Sequence, residues 1–249
     1  MGNANAPLKR SGWAQGLMEI SANRKETVGA LRITSDGRKF RYAKAGASNL
    51  AAGKMTIAAL PNAQTINTSV VAAAIGAYTI QLTGLTWAVD IAENQYQGGF
   101  LQINDGTGEA IQYPIVSNSP FVTGDTTIDI TVAAPIKVAL VASATTEVSL
   151  IPNPWYATAL SEVEESFSTG VPPVAVTALY YYWSQTGGIA IAFCHGTPAV
   201  GSMMVLSSMP PGALRVMAGT LDVDQPVIAR MYATVGVSGE YKPVQLLID

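Results

Sequence analysis

The chain has 249 residues, of which 49% are hydrophobic and only 12% are charged, and its formal net charge is −3. This much apolar sequence provides a sizeable core and excludes a chain that is disordered over most of its length. The charged fraction is about half the usual share. It favours a protein whose faces are covered by neighbours over an enzyme that acts alone. No apolar run approaches the roughly 18 residues that a membrane-spanning helix needs.

The charge is distributed unevenly along the chain. Residues 1–54 contain ten Lys or Arg and three Asp or Glu, which gives a net charge of +7. Residues 55–249 contain four Lys or Arg and fourteen Asp or Glu, which gives a net charge of −10. Such an asymmetry predicts a basic segment that binds an acidic partner. That partner can be nucleic acid, another protein or the acidic remainder of the same chain.

The N-terminal segment is predicted to be an extended basic arm followed by a hairpin. Residues 1–27 show no clean periodicity, and we expect the arm to become ordered only when a partner holds it. Residues 28–60 are expected to form a β-hairpin and the connection that follows it. The hairpin signal is the Asp36-Gly37 pair between two segments of alternating apolar and basic residues.

The predicted hairpin has one apolar and one basic face. A two-residue loop at Asp36-Gly37 places Ile33 opposite Phe40 on the apolar face and Arg32 opposite Arg41 on the other. Two opposed arginines repel each other unless an acidic partner lies over them. The alternative is that their long side chains simply spread into solvent.

The rest of the chain is predicted to be β structure. Residues 61–150 form a β domain, and residues 151–249 form a second β region that either packs with the first as one unit or stands apart. One helix over 153–167 is an alternative to a loop, because apolar residues from Trp155 to Phe167 recur every four positions. The expected fold is mainly β: an extended arm and hairpin followed by β-sandwich or β-barrel-like domains, with at most one short helix.

Catalytic and metal-binding patterns are weak. Cys194 and His195 are strand neighbours that point to opposite faces, which favours a partly buried structural histidine over a nucleophile pair. Asp105 and Glu109 flank a glycine turn but lack the further oxygen ligands of a calcium loop. The glutamates within 162–165 are the polar face of the alternative helix. We therefore expect no enzyme activity, no cofactor and no metal.

Nucleic acid is not an expected partner. The rings of Phe40 and Tyr42 fall on the face opposite the cations of the predicted hairpin, whereas a nucleic-acid platform needs both on one surface. The acidic remainder of the chain also repels phosphate.

Four stretches together resemble the capsid decoration, or cement, proteins of tailed bacteriophages. They are "DGRKFRYAKAGASNLAAGKM", "NQYQGGFLQINDGTGEAIQYPIVSN", "GVPPVAVTALYYYWSQTGG" and "GEYKPVQLLID". The resemblance runs from about residue 28 to the C-terminus, and its most specific parts are D-G-R-x-F-R-Y-A and Y-x-W-x-Q-T-x-G.

The resemblance implies a non-enzymatic virion protein on the outer capsid surface, made in the host bacterial cytoplasm. It implies a homotrimer that binds the major capsid protein, with neither nucleic acid nor membrane as partner. The expected capsid-binding side chains are those of Arg24, Lys25, Arg32, Lys39, Arg41 and Lys44. Two alternatives stay open: a head-fibre or tail protein that binds a host surface, and a virion polysaccharide-degrading enzyme, which needs two buried carboxylates facing each other across a cleft.

Overall fold

The computed structural model describes residues 12–142, 145–164, 166–219, 222, 224–233 and 236–249. The chain forms two compact units. Met1–Ala58 and Trp155–Asp249 together make the discontinuous unit, and Ala59–Pro154 make the inserted unit. The inserted unit contains the predicted β domain of 61–150, and the C-terminal region groups with the N-terminal segments of the chain.

The prediction of a mainly β fold is confirmed. Within the described residues no helix reaches seven residues, and a 3-10 turn spans Ala63–Thr65, where the Asn62 side chain accepts a hydrogen bond from Gln64 N. Nor does the described part of the chain contain a helix with the length and apolar character needed to cross a membrane.

The described residues form sixteen strands. In the discontinuous unit they are β1 Leu31–Ile33, β2 Lys39–Lys44, β3 Thr56–Ile57, β10 Ala159–Leu160, β11 Ser168–Gly170, β12 Tyr181–Cys194, β13 Met203–Ser207, β14 Ala213–Val216, β15 Ala229–Met231 and β16 Glu240–Leu247. In the inserted unit they are β4 Thr68–Ser69, β5 Thr79–Thr83, β6 Phe100–Asp105, β7 Gln112–Asn118, β8 Thr127–Val132 and β9 Glu147–Ile151.

The discontinuous unit is built around the long strand β12. Its main sheet has the order β1-β2-β12-β14-β13-β15-β16, and β16 pairs back onto β12, which closes five of these strands into a barrel. The first half of β12 pairs with β2 and the second half pairs with β16. Ala190, Ala192 and Cys194 point from β12 into the barrel core, and the small three-stranded sheet β10-β3-β11 completes this unit.

The inserted unit is a second closed barrel with its own core. Its strands have the order β4-β9-β6-β7-β8-β5, and a bridge between Val70 and Leu82 brings the two end strands together. Alternate residues of each strand point inward, as on β8, where Ile128, Ile130 and Val132 are buried. This period of two produces an apolar interior inside a polar exterior.

The predicted register of the hairpin is wrong by one residue. Arg32 pairs with Phe40, and Leu31 pairs with Arg41. The loop has three residues, 35–37: Thr34 N donates to Arg38 O, and Gly37 adopts φ 83°, as in a type I turn followed by a bulge. One extra loop residue moves every β1 side chain to the other face, so Arg32 turns inward and Ile33 is exposed.

The helix considered for residues 153–167 does not form. Ala157 has φ 61°, outside the α-helical region. The backbone bonds to strand β2 instead of to itself, because Lys44 N donates to Trp155 O and Thr158 N donates to Lys44 O. The four-residue spacing of apolar side chains is therefore accommodated by a loop and the short strand β10. Residue 165 lies outside the described residues.

The expectation that the arm needs a partner is wrong for residues 12–27, because strands of the same chain hold this segment. Gln15 is fully buried, its Nε2 donates to Tyr181 O at 3.0 Å, and its carbonyl oxygen accepts from Trp183 Nε1 at 3.1 Å. Ser21 forms a β-bridge with Tyr181. Residues 1–11 of the predicted arm lie outside the described residues.

Candidate binding surface

Several basic residues of the N-terminal segment lie over aromatic rings of the same unit. The Arg32 guanidinium carbon is 5.7 Å from the Trp13 ring centre and 5.5 Å from that of Trp183. Further pairs, with their distances, are Arg41 over Trp155 at 4.9 Å, Lys44 over Tyr156 at 4.7 Å and Lys54 over Phe193 at 5.0 Å. Such contacts stabilise a cation on a ring face, so much of the basic charge has a structural role within the discontinuous unit.

Arg32 lies between the arm and strand β12. Its Nη1 donates to Gln15 O at 3.1 Å, between the rings of Trp13 and Trp183. Burial lowers the pKa of Arg32, and the carboxylate of Glu26 offsets part of this effect. The side chain therefore fixes the arm onto the barrel, in place of the outward, capsid-facing position that the two-residue loop predicted.

Arg41 is the partner of the C-terminal residue. Its Nε and Nη2 donate to the two carboxylate oxygens of Asp249 at 2.7 and 3.2 Å, and its Nη1 donates to Gly29 O at 2.9 Å. Burial by itself raises the pKa of Asp249, but the hydrogen bonds and charge of Arg41 outweigh it and hold the pKa below its usual value. The acidic partner predicted for the basic segment is thus supplied, at this position, by the same chain.

Arg41→Ser is expected to destabilise the free protein by about 1–2 kcal/mol, because it leaves a half-buried Asp249 carboxylate and Gly29 O without their donor. Arg38→Ser is the matched control, since Arg38 pairs with Asp36 at an exposed site, where such pairs contribute little. Thermal and urea unfolding of both variants measure the difference. Equal stability of the two variants would contradict the structural role of Arg41.

The remaining predicted capsid-binding residues differ in exposure. Arg24 and Lys25 are exposed, and Lys39 is half-buried beside Asp249. Lys44 is held by Tyr156, whose hydroxyl accepts from Lys44 Nζ at 3.2 Å. The exposed cations of this segment thus include those of Arg24 and Lys25, in the part of the arm that runs beside the hairpin.

The outer face of strands β12 and β16 is largely apolar, with Gln245 as an exposed polar residue opposite Ile189. We define the apolar face as Ile189, Ile191, Phe193, Tyr241 and Leu247. The register places Phe193 opposite Tyr241 and Gly187 opposite Leu247, and exposed β12 positions alternate with buried alanines. Ile191 is 56% exposed and Tyr241 is 47% exposed. Among the described residues, these side chains belong to none of the apolar cores, and clustered apolar exposure of this kind marks interaction sites.

A groove of about 530 Å³ adjoins the apolar face. Its walls include Met18, Val171, Pro173, Ile189, Ile191 and Tyr241. The polar groups in the wall are largely engaged: Gln185 Nε2 donates to two backbone oxygens, and Arg38 pairs with Asp36. The groove therefore extends the apolar surface and offers little to a charged small molecule.

Two carboxylates face each other across Arg215. Its Nη2 donates to Glu164 Oε2 at 2.9 Å and to Asp222 Oδ1 at 2.8 Å, and Gln225 Nε2 also donates to Glu164 at 2.6 Å. The hydrogen bonds from Arg215 lower the pKa of Glu164 and of Asp222 to about 2 each. Both groups stay ionised at neutral pH, so this pair supplies no general acid for glycoside hydrolysis.

The Arg215 cluster predicts acid sensitivity. A carboxylate whose pKa is lower in the folded than in the unfolded state stabilises the folded state. This stabilisation is fully present at pH values above the ordinary carboxylate pKa near 4, and it disappears as the pH falls towards 2. Arg215→Gln is expected to melt below the wild type at pH 7 and to lose most of that difference near pH 2. Melting temperatures across this range measure it, and a difference independent of pH would contradict the pairing.

Cys194 and His195 do not converge. Cys194 points into the barrel core, and burial raises the pKa of its thiol to about 11, partly offset by Lys242. His195 follows the end of β12 and is exposed, so the expectation of a partly buried histidine is wrong. The chain passes from core to surface between these two residues.

Ellman's reagent is expected to label Cys194 only after unfolding, because the reactive species is the thiolate and this thiol is both buried and protonated. In the folded protein the reaction at pH 8 should be at least 100-fold slower than in urea. Labelling of the native chain at the rate of a free thiol would contradict this orientation of β12.

The remaining acidic candidates lie at exposed positions. Asp105 ends strand β6 and accepts a hydrogen bond from Gly106 N, and both Asp105 and Glu109 are exposed. Glu162 is also exposed. Among the described residues no group of three or more His, Cys, Asp or Glu side chains could hold a metal ion.

The aromatic partners of the cations, and Asp249 as the carboxylate partner of Arg41, were not predicted. Trp13, Trp155 and Asp249 are separated from the hairpin by loops or by most of the chain, and Arg41 and Asp249 are 208 positions apart. The signal that could have indicated these contacts is the presence of aromatic residues in the arm and at 180–183, close to segments rich in Lys and Arg.

Comparisons of the chain with family models, with curated proteins and with solved structures found no match.

Proposed function

We propose that this chain is a structural virion protein that decorates a bacteriophage capsid, binding the outer surface of the major capsid protein as a homotrimer. The observation that carries the proposal is the apolar face of β12 and β16, in a chain with only 12% charged residues. An exposed apolar sheet face is the kind of surface that a neighbouring subunit covers. The resemblance of the sequence to capsid decoration proteins supplies the biological setting.

A three-fold assembly needs two different surfaces on each subunit, because a cyclic trimer places one face of a copy against another face of the next. The apolar face provides the first surface. Met203 and Tyr232, which are 47% and 60% exposed in the same unit, provide apolar groups for a second. Both surfaces belong to the discontinuous unit, which is therefore the part that assembles.

Attachment to the capsid is proposed to use the exposed cations of the arm. Arg24 and Lys25, whose side chains are exposed, carry this proposal together with the half-buried Lys39. Rim charges of this kind mainly steer association and make it dependent on salt. The proposal includes neither nucleic acid nor membrane as a partner, and synthesis takes place in the host bacterial cytoplasm.

The attachment is tested by co-sedimentation of the protein with capsids that lack it. The double variant Arg24→Ser, Lys25→Ser is expected to lower occupancy at least tenfold at about 150 mM salt, and less at higher salt. Lys137→Ser is the control, since Lys137 is an exposed cation of the inserted unit. Normal loading of the double variant at every salt concentration, or no loading of the wild type, would contradict the proposal.

The second candidate is a head-fibre or tail protein that binds a host surface. The observation in its favour is the inserted unit, a closed barrel with its own apolar core, which is the arrangement of a separable knob. Binding of the labelled full-length protein to host cells, compared with binding to capsids, distinguishes the two. Adsorption to cells without any capsid binding would favour this second function.

A further inference from the structure

The inserted unit has a small pocket lined by uncharged polar groups. Its volume is about 280 Å³, and its lining includes Gln64, Asn67, Ser69, Thr83, Thr86 and Trp87. The volume is near the lower end of the roughly 300–1,000 Å³ of small-molecule sites, a size that suits one or two sugar rings. None of the lining residues is ionisable.

Two side-chain amides in this pocket are oriented by the protein. Gln64 Oε1 accepts a hydrogen bond from Ala88 N at 2.9 Å. Asn67 Oδ1 accepts from Asn104 Nδ2, and the Asn67 backbone adopts φ 53°, a conformation uncommon outside glycine. Since each amide oxygen is engaged by the protein, the NH₂ groups of Gln64 and Asn67 are the parts left to donate to a ligand.

Four hydroxyl side chains also line the pocket, and that of Thr68 is engaged, because it donates to Val148 O at 3.0 Å. Within the described part of the chain no hydrogen bond joins the side chains of Ser69, Thr83 or Thr86 to another protein group, and none of the three is fully buried. Each hydroxyl can donate and accept. The pocket thus presents two oriented NH₂ donors and three hydroxyl groups that can each donate or accept a hydrogen bond. This set complements a ligand that carries several hydroxyl groups.

The charge around the pocket restricts the ligand further. The inserted unit contains one basic residue, Lys137, and seven acidic residues, a net charge of −6. Glu147 pairs with Ser69 across the strands β4 and β9, so a carboxylate lies beside the pocket. An anionic ligand is repelled, whereas a neutral one is not. Ile66, which is 40% exposed, adds an apolar contact for the C–H face of a sugar ring.

We propose that this pocket binds a neutral saccharide. The proposal rests on the side chains of the inserted unit alone and does not depend on capsid attachment. Preorganised donors and acceptors in a shallow site predict a dissociation constant in the millimolar range for a single sugar unit.

Saturation-transfer NMR and calorimetry on the full-length chain test the site. The probes are lactose, maltose, cellobiose and chitobiose as neutral sugars, with sialyllactose and glucose 6-phosphate as anionic ones. We expect at least one neutral sugar to bind and the anionic sugars to bind at least tenfold more weakly. Binding of no neutral sugar, or a preference for the anionic ones, would overturn the proposal.

Two variants locate the binding in the pocket. Gln64→Ala and Thr86→Val change exposed side chains, so both should fold, and each is expected to weaken binding of the neutral sugar at least fivefold. Gln102→Ala is the control, an exposed glutamine of the same barrel that does not line the pocket. Melting curves establish that the variants are folded. Unchanged binding in both pocket variants, or equal weakening in the control, would show that the sugar binds elsewhere.

Discussion

Replacing Trp183 with alanine is expected to lower the free energy of unfolding by about 3–5 kcal/mol, the range for large aromatic side chains in a core. Trp183 is fully buried. The centre of its ring lies 4.9 Å from that of Trp13 and 5.2 Å from that of Tyr42, both in T-shaped arrangements, and Arg32 lies over it. The substitution removes the surface on which the arm rests, so it should release residues 12–27 as well as destabilise the core.

Trypsin distinguishes these two effects, because it cleaves after Arg24 and Lys25 when the segment around them can detach. Trp13→Ala is the matched control: it removes the ring contributed by the arm and leaves Trp183 in place. Both variants should be cleaved in the arm at least tenfold faster than the wild type, and only Trp183→Ala should show the large loss of stability. Unchanged cleavage in both variants would contradict the docking of the arm.

The strand content of the fold could be predicted because it depends on local pattern. On β8, apolar residues alternate with polar ones and turn residues bound the strand, and this period of two is independent of the rest of the chain. The closure of the barrel in the discontinuous unit depends instead on contacts between distant segments, such as that of Gly187 on β12 with Leu247 on β16. No local pattern distinguishes a closed barrel from a sandwich.

The hairpin shows that a correctly located turn can still lead to a wrong prediction of which side chains of β1 are exposed. The turn at Asp36-Gly37 was located correctly, but a loop of three residues in place of two exchanges the faces of β1. Arg32 was therefore expected to repel Arg41 and instead lies half-buried against Trp183. The helix over 153–167 failed for a related reason, since Thr158 and Trp155 bond to Lys44 on a strand far away in sequence.

The charge asymmetry of the chain indicated an acidic partner for the basic segment but could not identify it. The sequence left nucleic acid, another protein and the acidic remainder of the same chain as alternatives. At Arg41 the partner belongs to the same chain, because Arg41 pairs with Asp249. The stacking of cations on rings adds a further partner that charge counting cannot detect, because an aromatic residue carries no formal charge.

Ile191→Glu is expected to convert the proposed homotrimer into a monomer. Covering an isoleucine contributes about 1.5–3 kcal/mol per site, and a carboxylate enclosed without a partner in the same interface is strongly unfavourable. Because a trimer contains three such sites, the concentration at which half of the protein is dissociated should rise at least 100-fold. Light scattering on a sizing column over a dilution series measures this shift.

The stability of the free chain provides the internal check on this prediction. Ile191 is 56% exposed, so the substitution should change unfolding of the monomer by no more than about 0.5 kcal/mol. Val122→Glu, at a 59% exposed position of the inserted unit, is the matched control and should leave the trimer intact. A trimer that persists in Ile191→Glu shows that another surface drives assembly. If the wild-type chain is monomeric both in solution and on the particle, the proposed homotrimer is wrong. Capsid attachment through the arm is then tested separately by co-sedimentation.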